Sequence, residues 1–517
     1  KERFIDPLSS NTTAKIQKDE ELAGDLYLTK GESTNWDAQI GVYVSKSFGA
    51  HALNASAVMN ATSRESESTS SHYRGFPSGE YHSPNYAAEV KDKPSKSQSS
   101  SRLAGFLFLA NYTWNDIYLA DVSVRFDGSS EFGLDQKWAP FWSFGAGVNM
   151  HNYAFLSGSK VINRMKFRAS YGQTGKVNFP SYSARTVYRT FDRWYIAGFG
   201  VGLKALGNRD LKWETTNKLN VGTDMEFWNS RISLIFDYYY NKTVDLITDV
   251  TLPGSAGFSS YKSNLGETLN KGFDIQFRFD VMKNKDWNVA LWGNLNHNKN
   301  EILKISDALK AYNSQVDDYY ELAEEDQTSN SSWSKANKTY SDFIKPIMKY
   351  EEGASLTAIY GVRSLGIDPS IGKELYLYRN GLASHKWKAT EEVVLGDSEP
   401  KASGSFGLNA TYKNFSLFAS FGYEWGKQTY NETLIMNVEN ADIRGSNVDK
   451  RVLTQRWEKP GDIAPLKDIK DMNSVTLPTS RFVQDENVLS LDALALSYDF
   501  DPLWLRKIYL KTLRLEV

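Results

Sequence analysis

The 517-residue sequence contains no cysteine. Disulfide bonds, thiolate metal sites and cysteine nucleophiles are therefore excluded. No apolar run approaches the roughly 18 residues of a membrane-spanning helix, so a helical membrane protein is excluded too. A β-barrel remains possible, because its strands cross a bilayer in about ten residues with only every second side chain apolar.

An excess of charge of one sign is also lacking. The 60 basic and 62 acidic residues leave a net charge of −2 and are spread through the sequence. No basic patch or stripe supports binding to nucleic acid. We therefore predict no nucleic-acid partner.

Motifs that carry catalysis or hold a cofactor are missing as well. The six histidines show neither the spacing of a helical zinc site nor an HExxH motif, and there is no GxSxG elbow or P-loop. Residues 200–205 (GVGLKA) fit GxGxxA, but no strand–helix unit with a following acidic residue surrounds them, which indicates a flexible loop. We predict that the protein is not an enzyme and has no catalytic residue, cofactor or metal site.

The sequence does have alternation of apolar and polar residues, repeated from one end to the other. Phe273, Ile275 and Phe277 fall on one face of an extended segment, while Asp274 and Gln276 fall on the other. The same period of two recurs near residues 165–171, 219–227, 287–296 and 405–412. Any antiparallel sheet with one wet face shows this pattern. The segments run longer than most soluble strands, which favours a membrane barrel.

The predicted connections between strands alternate between short and long. Short turns are predicted at 114–116, 228–230, 283–286 and 413–414, and long loops at about 173–216, 242–271 and 304–352. Short turns on one side and long extracellular loops on the other are typical of outer-membrane barrels.

Aromatic residues make up 14% of the chain and concentrate at the predicted strand ends. Trp114, Trp228, Trp287 and Phe415 flank short turns, which is where one interfacial girdle of a barrel would lie. The opposite strand ends carry Tyr238, Tyr239, Tyr240, Tyr423 and Trp425. This placement favours an all-β, transmembrane antiparallel β-barrel.

A second aromatic cluster falls inside a predicted long loop. It consists of Phe191, Arg193, Trp194 and Tyr195. Such side chains could stack on a sugar ring or dock a partner, and they could equally pack the loop itself. They are our candidates for contact with substrate or partner.

Seven motifs, in order, resemble those of the SusC/RagA-type TonB-dependent transporters of the Bacteroidota. They are 127–133 (DGSSEFG) with 138–143 (WAPFWS), 166–175 (KFRASYGQTG), 206–215 (LGNRDLKWET), 237–243 (DYYYNKT), 270–273 (NKGF), 456–462 (RWEKPGD) and 480–485 (SRFVQD). Arg209 stands where that family commonly has proline.

The resemblance implies a barrel of about 22 strands with an N-terminal plug. It also implies a SusD-like surface lipoprotein as partner, TonB as the source of energy, and an oligosaccharide or peptide as substrate. A dimer of the transporter–lipoprotein pair and contact with outer-membrane lipid are further expectations. The chain begins at Lys1 and ends at Val517 within a predicted strand. We therefore expect residues 1–517 to be a partial barrel, without the plug, the N-terminal extension and the last strands.

The function expected from this resemblance is active import of oligosaccharides or peptides across the bacterial outer membrane. A TonB-dependent siderophore or cobalamin receptor and a passive porin remain open alternatives. A soluble β-rich glycan-binding protein is a more remote alternative. Detergent extraction would separate that alternative from a membrane barrel.

Overall fold

The computed structural model describes residues 1–7, 23–132, 136–176, 184–195, 198–251, 260–264, 266–328, 343–441, 443, 447–471 and 476–517. These residues form 24 strands. They are β1 Glu2–Ile5, β2 Asp25–Phe48, β3 His51–Arg74, β4 Glu89–Trp114, β5 Tyr118–Ser129, β6 Trp138–Asn149, β7 Ile162–Lys176, β8 Val187–Tyr195, β9 Gly198–Ala205, β10 Glu214–Phe227, β11 Ile232–Val244, β12 Ile247–Thr251, β13 Ser260–Asn264, β14 Glu267–Lys283, β15 Trp287–Lys304, β16 Ala358–Gly361, β17 Arg363–Ile367, β18 Glu374–Leu377, β19 Ala383–Ser384, β20 Val393–Asp397, β21 Ala402–Tyr412, β22 Phe415–Tyr430, β23 Val483–Asp499 and β24 Arg514–Glu516.

Helices are few. They are α1 Asp307–Thr328, α2 Glu432–Leu434 with the π turn Ile435–Glu439, α3 Arg451–Thr454 and α4 Pro502–Arg506, together with 3₁₀ turns at Pro84–Tyr86, Met150–Asn152, Ala389–Glu391, Ile469–Asp471 and Ser480–Phe482. Within the described ranges, no helix is both long and apolar enough to cross a membrane.

Fifteen strands form one antiparallel sheet, in which each strand pairs with the next strand of the same sheet along the chain. The order is β1-β2-β3-β4-β5-β6-β7-β10-β11-β14-β15-β21-β22-β23-β24. The other strands lie in its connections, as the hairpins β8–β9 and β12–β13, the pair β16–β20 and the three-stranded β17–β18–β19. A meander with long strands is the topology of an up-and-down barrel, in which sequential strands pair edge to edge.

The two faces of the sheet have the predicted compositions. On β14, Phe273 pairs with Tyr238 and Phe277 with Leu234, all on the apolar face. On the polar face Asp274 pairs with Asn296. The side chain of Phe277 is 45% exposed, although it is large and apolar. A row of exposed apolar side chains on one face is the arrangement that contact with lipid acyl chains requires.

Most connections differ in length between the two ends of the sheet. One end of the sheet carries the short turns between β2 and β3, β4 and β5, β10 and β11, β14 and β15, and β21 and β22. The longer connections 150–161, between β6 and β7, and 500–513, between β23 and β24, lie at the same end. Asn115 and Asp116 have positive φ in the β4–β5 turn, and Asn229 does in the β10–β11 turn. Asn and Asp tolerate this left-handed backbone, which tight hairpins of a twisted sheet need. The opposite end carries the long connections, and we call it the long-loop end.

Three details differ from the sequence-based expectations. The predicted long loop at about 304–352 contains the helix Asp307–Thr328. The connection expected at about 304–352 runs on to Lys401, because residues 353–401 form small sheets of their own instead of the next long strand. Tyr239 does not join the aromatic girdle, since it faces the polar side and its hydroxyl donates to Asn298 Oδ1 at 3.1 Å.

The exposure of the apolar face generates a first prediction. Phe277→Arg should destabilise the membrane-inserted protein by about 2–4 kcal/mol, because it places a cation among lipid chains. Gln276→Arg, on the polar face of the same strand, should have a much smaller effect. The folded fraction of the intact protein in outer membranes, measured by its electrophoretic mobility before and after heating, checks this. Equal losses for the two variants would contradict the assignment of the faces.

Candidate functional site

The polar face of the sheet, which we call the lumen wall, carries paired charges. Arg168 on β7 donates from Nη2 to Asp237 Oδ2 on β11 at 2.7 Å. It also donates from Nε to Asp224 Oδ1 on β10 at 3.3 Å. One arginine thus binds carboxylates on two neighbouring strands. Such charge-assisted hydrogen bonds hold the side chains in defined orientations.

Similar pairs and amide contacts continue around the wall. Arg125 contacts Asp127 at 2.6 Å on β5, and Arg278 contacts Asp280 at 3.0 Å on β14. Asn300 donates to Asn270 Oδ1 at 2.8 Å. The wall therefore presents carboxylates, amides and guanidinium groups, which can hydrogen-bond to sugar hydroxyls or to peptide backbone.

Near the long-loop end, two of the sequence motifs contact each other. Phe132 of the DGSSEFG motif stacks on Trp213 of the LGNRDLKWET motif, with ring centroids 4.4 Å apart. Phe141 meets the same indole edge-on at 5.4 Å. Trp213 Nε1 also donates to the carbonyl oxygen of Lys137 at 3.4 Å. These three buried aromatic residues form what we call the rim cluster.

The rest of the LGNRDLKWET motif is attached to the β12–β13 hairpin. Asn264 Oδ1 accepts from the Lys212 backbone N–H at 2.9 Å, and Asn264 Nδ2 donates to the Lys212 carbonyl at 2.8 Å. Asn208 Nδ2 donates to the carbonyl oxygen of Lys262 at 3.0 Å. Together with the rim cluster, these bonds join parts of three long connections into one structure.

The two longest connections form a small domain of their own. We call the described parts of residues 305–401 and 431–482 the loop domain. Its core consists of Val316, Tyr320, Phe343, Ile344, Val362, Tyr376, Tyr378, Trp387, Ala389, Ile435, Leu477 and Phe482. This core brings together α1, the small sheets and α2, so the connections have a fixed fold at the long-loop end.

The loop domain is attached to the end of β15. Ile302 N–H donates to the Ala354 carbonyl, and Gly353 N–H donates to the Ile302 carbonyl, both at 2.8 Å. Asn300 Oδ1 accepts from Leu356 N–H at 2.9 Å. The wall strand therefore continues into the domain through backbone hydrogen bonds, and the domain has a defined position above the wall.

A buried arginine connects three segments of the loop domain. Arg481 Nη2 lies 2.8 Å from Glu374 Oε2 and 2.7 Å from Glu439 Oε1. Its Nη1 donates to the Pro465 carbonyl at 2.7 Å. Burial alone would raise the pKa of Glu374, but the charge and hydrogen bond of Arg481 lower it below the usual value.

A second buried ionic group involves Lys349. Its Nζ lies 2.5 Å from Asp317 Oδ1 and 2.6 Å from Glu392 Oε2. Glu392 is fully buried, and neither of its carboxylate oxygens has a hydrogen bond of good geometry among the described residues. Burial raises the pKa of Glu392 to about 7, although Lys349 acts to lower it and Asp317 adds to the rise.

Two residues of the RWEKPGD motif make hydrogen bonds within the loop domain. Arg456 is buried and donates to the carbonyl oxygens of Val438 and Glu439, both at 2.6 Å. Trp457 Nε1 donates to the Pro369 carbonyl at 2.8 Å. The sequence flagged this motif and SRFVQD without showing what they contact, because their partners are distant along the chain.

The candidate contact residues Phe191, Arg193, Trp194 and Tyr195 lie in β8 of the β8–β9 hairpin. Their side chains fall outside the described part of the structure, so their role stays a prediction. Across the described ranges, no three His, Cys, Asp or Glu side chains form a group that could hold a metal ion.

The long antiparallel meander, its exposed apolar face, its polar lumen wall and its sorted connections define the class of protein. It is a transmembrane β-barrel of the bacterial outer membrane. Residues 5–446 match the family described as TonB dependent receptor-like, beta-barrel, and the chain belongs to that family.

Individual relatives agree with this assignment. The chain is 27% identical over 520 residues to "TonB-dependent receptor P3" of Formosa agariphila, covering 96% of this chain and 48% of that protein. It is 24% identical over 464 residues to "TonB-dependent receptor SusC" of Bacteroides thetaiotaomicron, covering 85% and 42%. The chain spans about half the length of the curated relatives it matches.

The fold matches a solved structure as well. Superposition on the structure of the RagAB peptide transporter gives a TM-score of 0.79 at 22% sequence identity, covering 96% of this chain and 53% of that one. This likeness supports the same barrel fold. The predicted resemblance to SusC/RagA-type proteins is therefore confirmed for family, fold and outer-membrane location.

The Arg481 contacts generate a second prediction. Arg481→Gln should destabilise the loop domain by about 3–5 kcal/mol, because it leaves the Glu374 and Glu439 carboxylates buried without their cation. Arg451→Gln, which removes an arginine from an exposed pair with Asp449, should change little. Hydrogen exchange of the loop-domain amides in the intact protein measures both. Similar protection in the two variants would argue against a role of Arg481 in holding these three segments together.

Glu392 generates a third prediction. Because its pKa of about 7 lies above the ordinary 4.5, the folded domain holds a proton that the unfolded chain releases between these pH values. The resulting stability, about 3 kcal/mol, is complete below pH 4.5 and lost as the pH rises through 7.

Glu392→Gln keeps the neutral form and should abolish this loss. The variant should match the wild type near pH 5 and become more stable than it above pH 7, as measured by protease resistance at matched pH. Glu458→Gln, in an exposed part of the same domain, controls for removing one carboxyl group. A constant difference between Glu392→Gln and wild type from pH 5 to 8 would count against a raised pKa.

Proposed function

We propose that the protein is an outer-membrane active importer of oligosaccharides or peptides. The observation that carries the proposal is the folded loop domain joined to the long-loop end of a polar wall. A passive pore needs only a polar wall lined by water. The loop domain has a twelve-residue core and buried ion pairs, so it offers a surface of defined shape to a solute or partner.

The family relationship supports the energy source and the partner. TonB energises import, and it acts through regions other than the wall described above. A SusD-like surface lipoprotein forms a complex with the long-loop end and delivers the solute. The relatives named SusC and RagAB support this arrangement, and the loop domain and the β8–β9 hairpin are the surfaces available for that contact.

The lumen wall suits either class of solute. Its amide and carboxylate groups, such as Asn300, Asp274 and Asp237, hydrogen-bond to sugar hydroxyls and to peptide groups alike. Phe191, Arg193, Trp194 and Tyr195 are proposed to contact the solute or the lipoprotein. Stacking of an aromatic ring on a sugar face would favour an oligosaccharide.

Co-purification and uptake test this function, which is the fourth prediction. The intact protein, isolated from outer membranes in mild detergent, should bring down a SusD-like lipoprotein in a stoichiometric complex. Cells should take up a labelled oligosaccharide or peptide only while TonB and the proton gradient are intact.

An unrelated outer-membrane barrel that carries the same affinity tag controls for carry-over of lipoproteins. Uptake that continues without TonB would identify a passive porin. Binding of a ferric siderophore or cobalamin, with no lipoprotein in the complex, would identify a receptor of that other class.

A further inference from the structure

A groove lies on the outward, apolar side of the sheet, away from the lumen wall. Its volume is about 320 Å³. The residues that line it come from β2 to β6 and the β5–β6 connection. They are Trp36, Ala61, Thr62, Ser63, Arg102, Leu103, Ala104, Gly128, Ser129, Ser130, Lys137 and Trp138.

The register places the floor of the groove on the lipid-facing side. Ala104 pairs with Ala61 on one side and with Gly128 on the other. Phe106 lies two residues along the same strand, so it shares this face with Ala104. Phe106 is 48% exposed, as expected for a side chain that meets lipid.

Two tryptophans form the walls. Trp138 stacks on Phe126 with ring centroids 5.3 Å apart and planes 9° apart. It lies so close over Gly128 that a Cβ atom at this position would be 2.6 Å from the indole. Gly128 of the DGSSEFG motif therefore makes room for Trp138. Trp36, on the other side of the groove, is 52% exposed.

The depth of the groove matches a membrane interface. Residues 37–48 of β2 separate Trp36 from the short turn at Gly49. At about 3.3 Å per residue and a tilt of about 45°, this segment rises about 28 Å. The apolar band of an outer-membrane barrel is about 25 Å tall. The groove therefore lies where the acyl chains meet the headgroups of the leaflet on the long-loop side.

Two cationic residues stand at the groove, Arg102 and Lys137. The backbone around Arg102 is held by Ser130, which accepts from Arg102 N–H at 2.9 Å and donates its own N–H to the Arg102 carbonyl at 2.9 Å. The guanidinium group reaches Glu65 only at 3.4 Å, and its side chain is 71% exposed. Cations at this depth attract anionic headgroups.

We propose that this groove binds one phosphate-bearing anionic lipid of the surrounding leaflet. An acyl chain lies between Trp36 and Trp138 over the small floor residues. The phosphate accepts hydrogen bonds from Arg102 and Lys137. An arginine and a lysine together suit a phosphate, since the guanidinium group binds two oxygens in a fixed geometry and the ammonium adds charge.

Charge and position together select this occupant. A zwitterionic lipid would meet the same apolar walls but would carry its own cation towards Arg102 and Lys137. A second protein would have to displace lipid from an interface of alternating apolar and cationic groups. Arg102 also forms an exposed ion pair with Glu65 at 3.4 Å, and a phosphate can replace this weak contact.

Native mass spectrometry of the intact protein, delipidated and titrated with defined lipids, tests the proposal and is the fifth prediction. Phosphatidylglycerol should bind at one site at least tenfold more tightly than phosphatidylcholine with the same acyl chains. The double variant Arg102→Gln with Lys137→Gln should lose this preference.

The matched control is Lys30→Gln with Lys96→Gln. It removes one cation from β2 and one from β4, both outside the groove, where they pair with Glu32 and Glu67. Its preference for phosphatidylglycerol should stay within twofold of wild type. If this control loses the preference as fully as the groove variant, the effect is one of general surface charge and the proposal is wrong.

The apolar part of the site has its own test. Ala104→Phe fills the floor and should weaken phosphatidylglycerol binding about tenfold while leaving both cations in place. Trp36→Ala, which removes a wall without adding bulk, should weaken it in the same direction. Free glycerol phosphate should not bind, because it lacks the chain. Saturable binding of glycerol phosphate, or a second copy of the protein occupying the face in the mass spectrum, would overturn the proposal.

Discussion

Hydrogen bonding between neighbouring backbones is the interaction on which the rest of this structure depends. A bilayer offers no water to unpaired N–H and C=O groups, so each strand must find both partners within the sheet. The thirteen inner strands of the sheet do this in simple chain order, and β1 and β24 lie at its two edges. Once each strand is paired, its side chains must alternate between lipid and lumen, and every connection must emerge at one of two ends. The apolar face, the lumen wall and the sorted loops all follow from that pairing.

At the long-loop end the chain leaves the bilayer, and water is again available to its polar groups. There the chain can fold against itself, and two connections build a domain with its own core and buried ions. Charges such as Arg481 and Glu374 are costly to bury, so they are weak devices for stability alone. Their value is orientation, because one arginine that must satisfy Glu374, Glu439 and Pro465 permits few arrangements of these segments.

The family motifs turn out to be points of attachment between distant segments. Trp213 joins Phe132, Arg456 closes the chain around Val438 and Glu439, and Gly128 accommodates Trp138. These residues hold the rim cluster and the loop domain together. Their matches therefore identify the family while leaving the choice between glycan and peptide to other residues.

The positions of strands such as β10, β14 and β21, their two faces and the short turns could be predicted from the sequence, because a period of two and a tight turn are local properties. Phe273 and Asp274 fall on opposite faces whatever the rest of the chain does. The loop domain could not be predicted, since Glu392 meets Lys349, and Arg481 meets Glu374, only after folding brings them together. Tyr239 shows the same limit, because its place among aromatic neighbours suggested a girdle, while strand register turned it towards Asn298. The local sequence pattern determined the strands and faces of the wall, and tertiary contacts determined the fold of the loop domain above it.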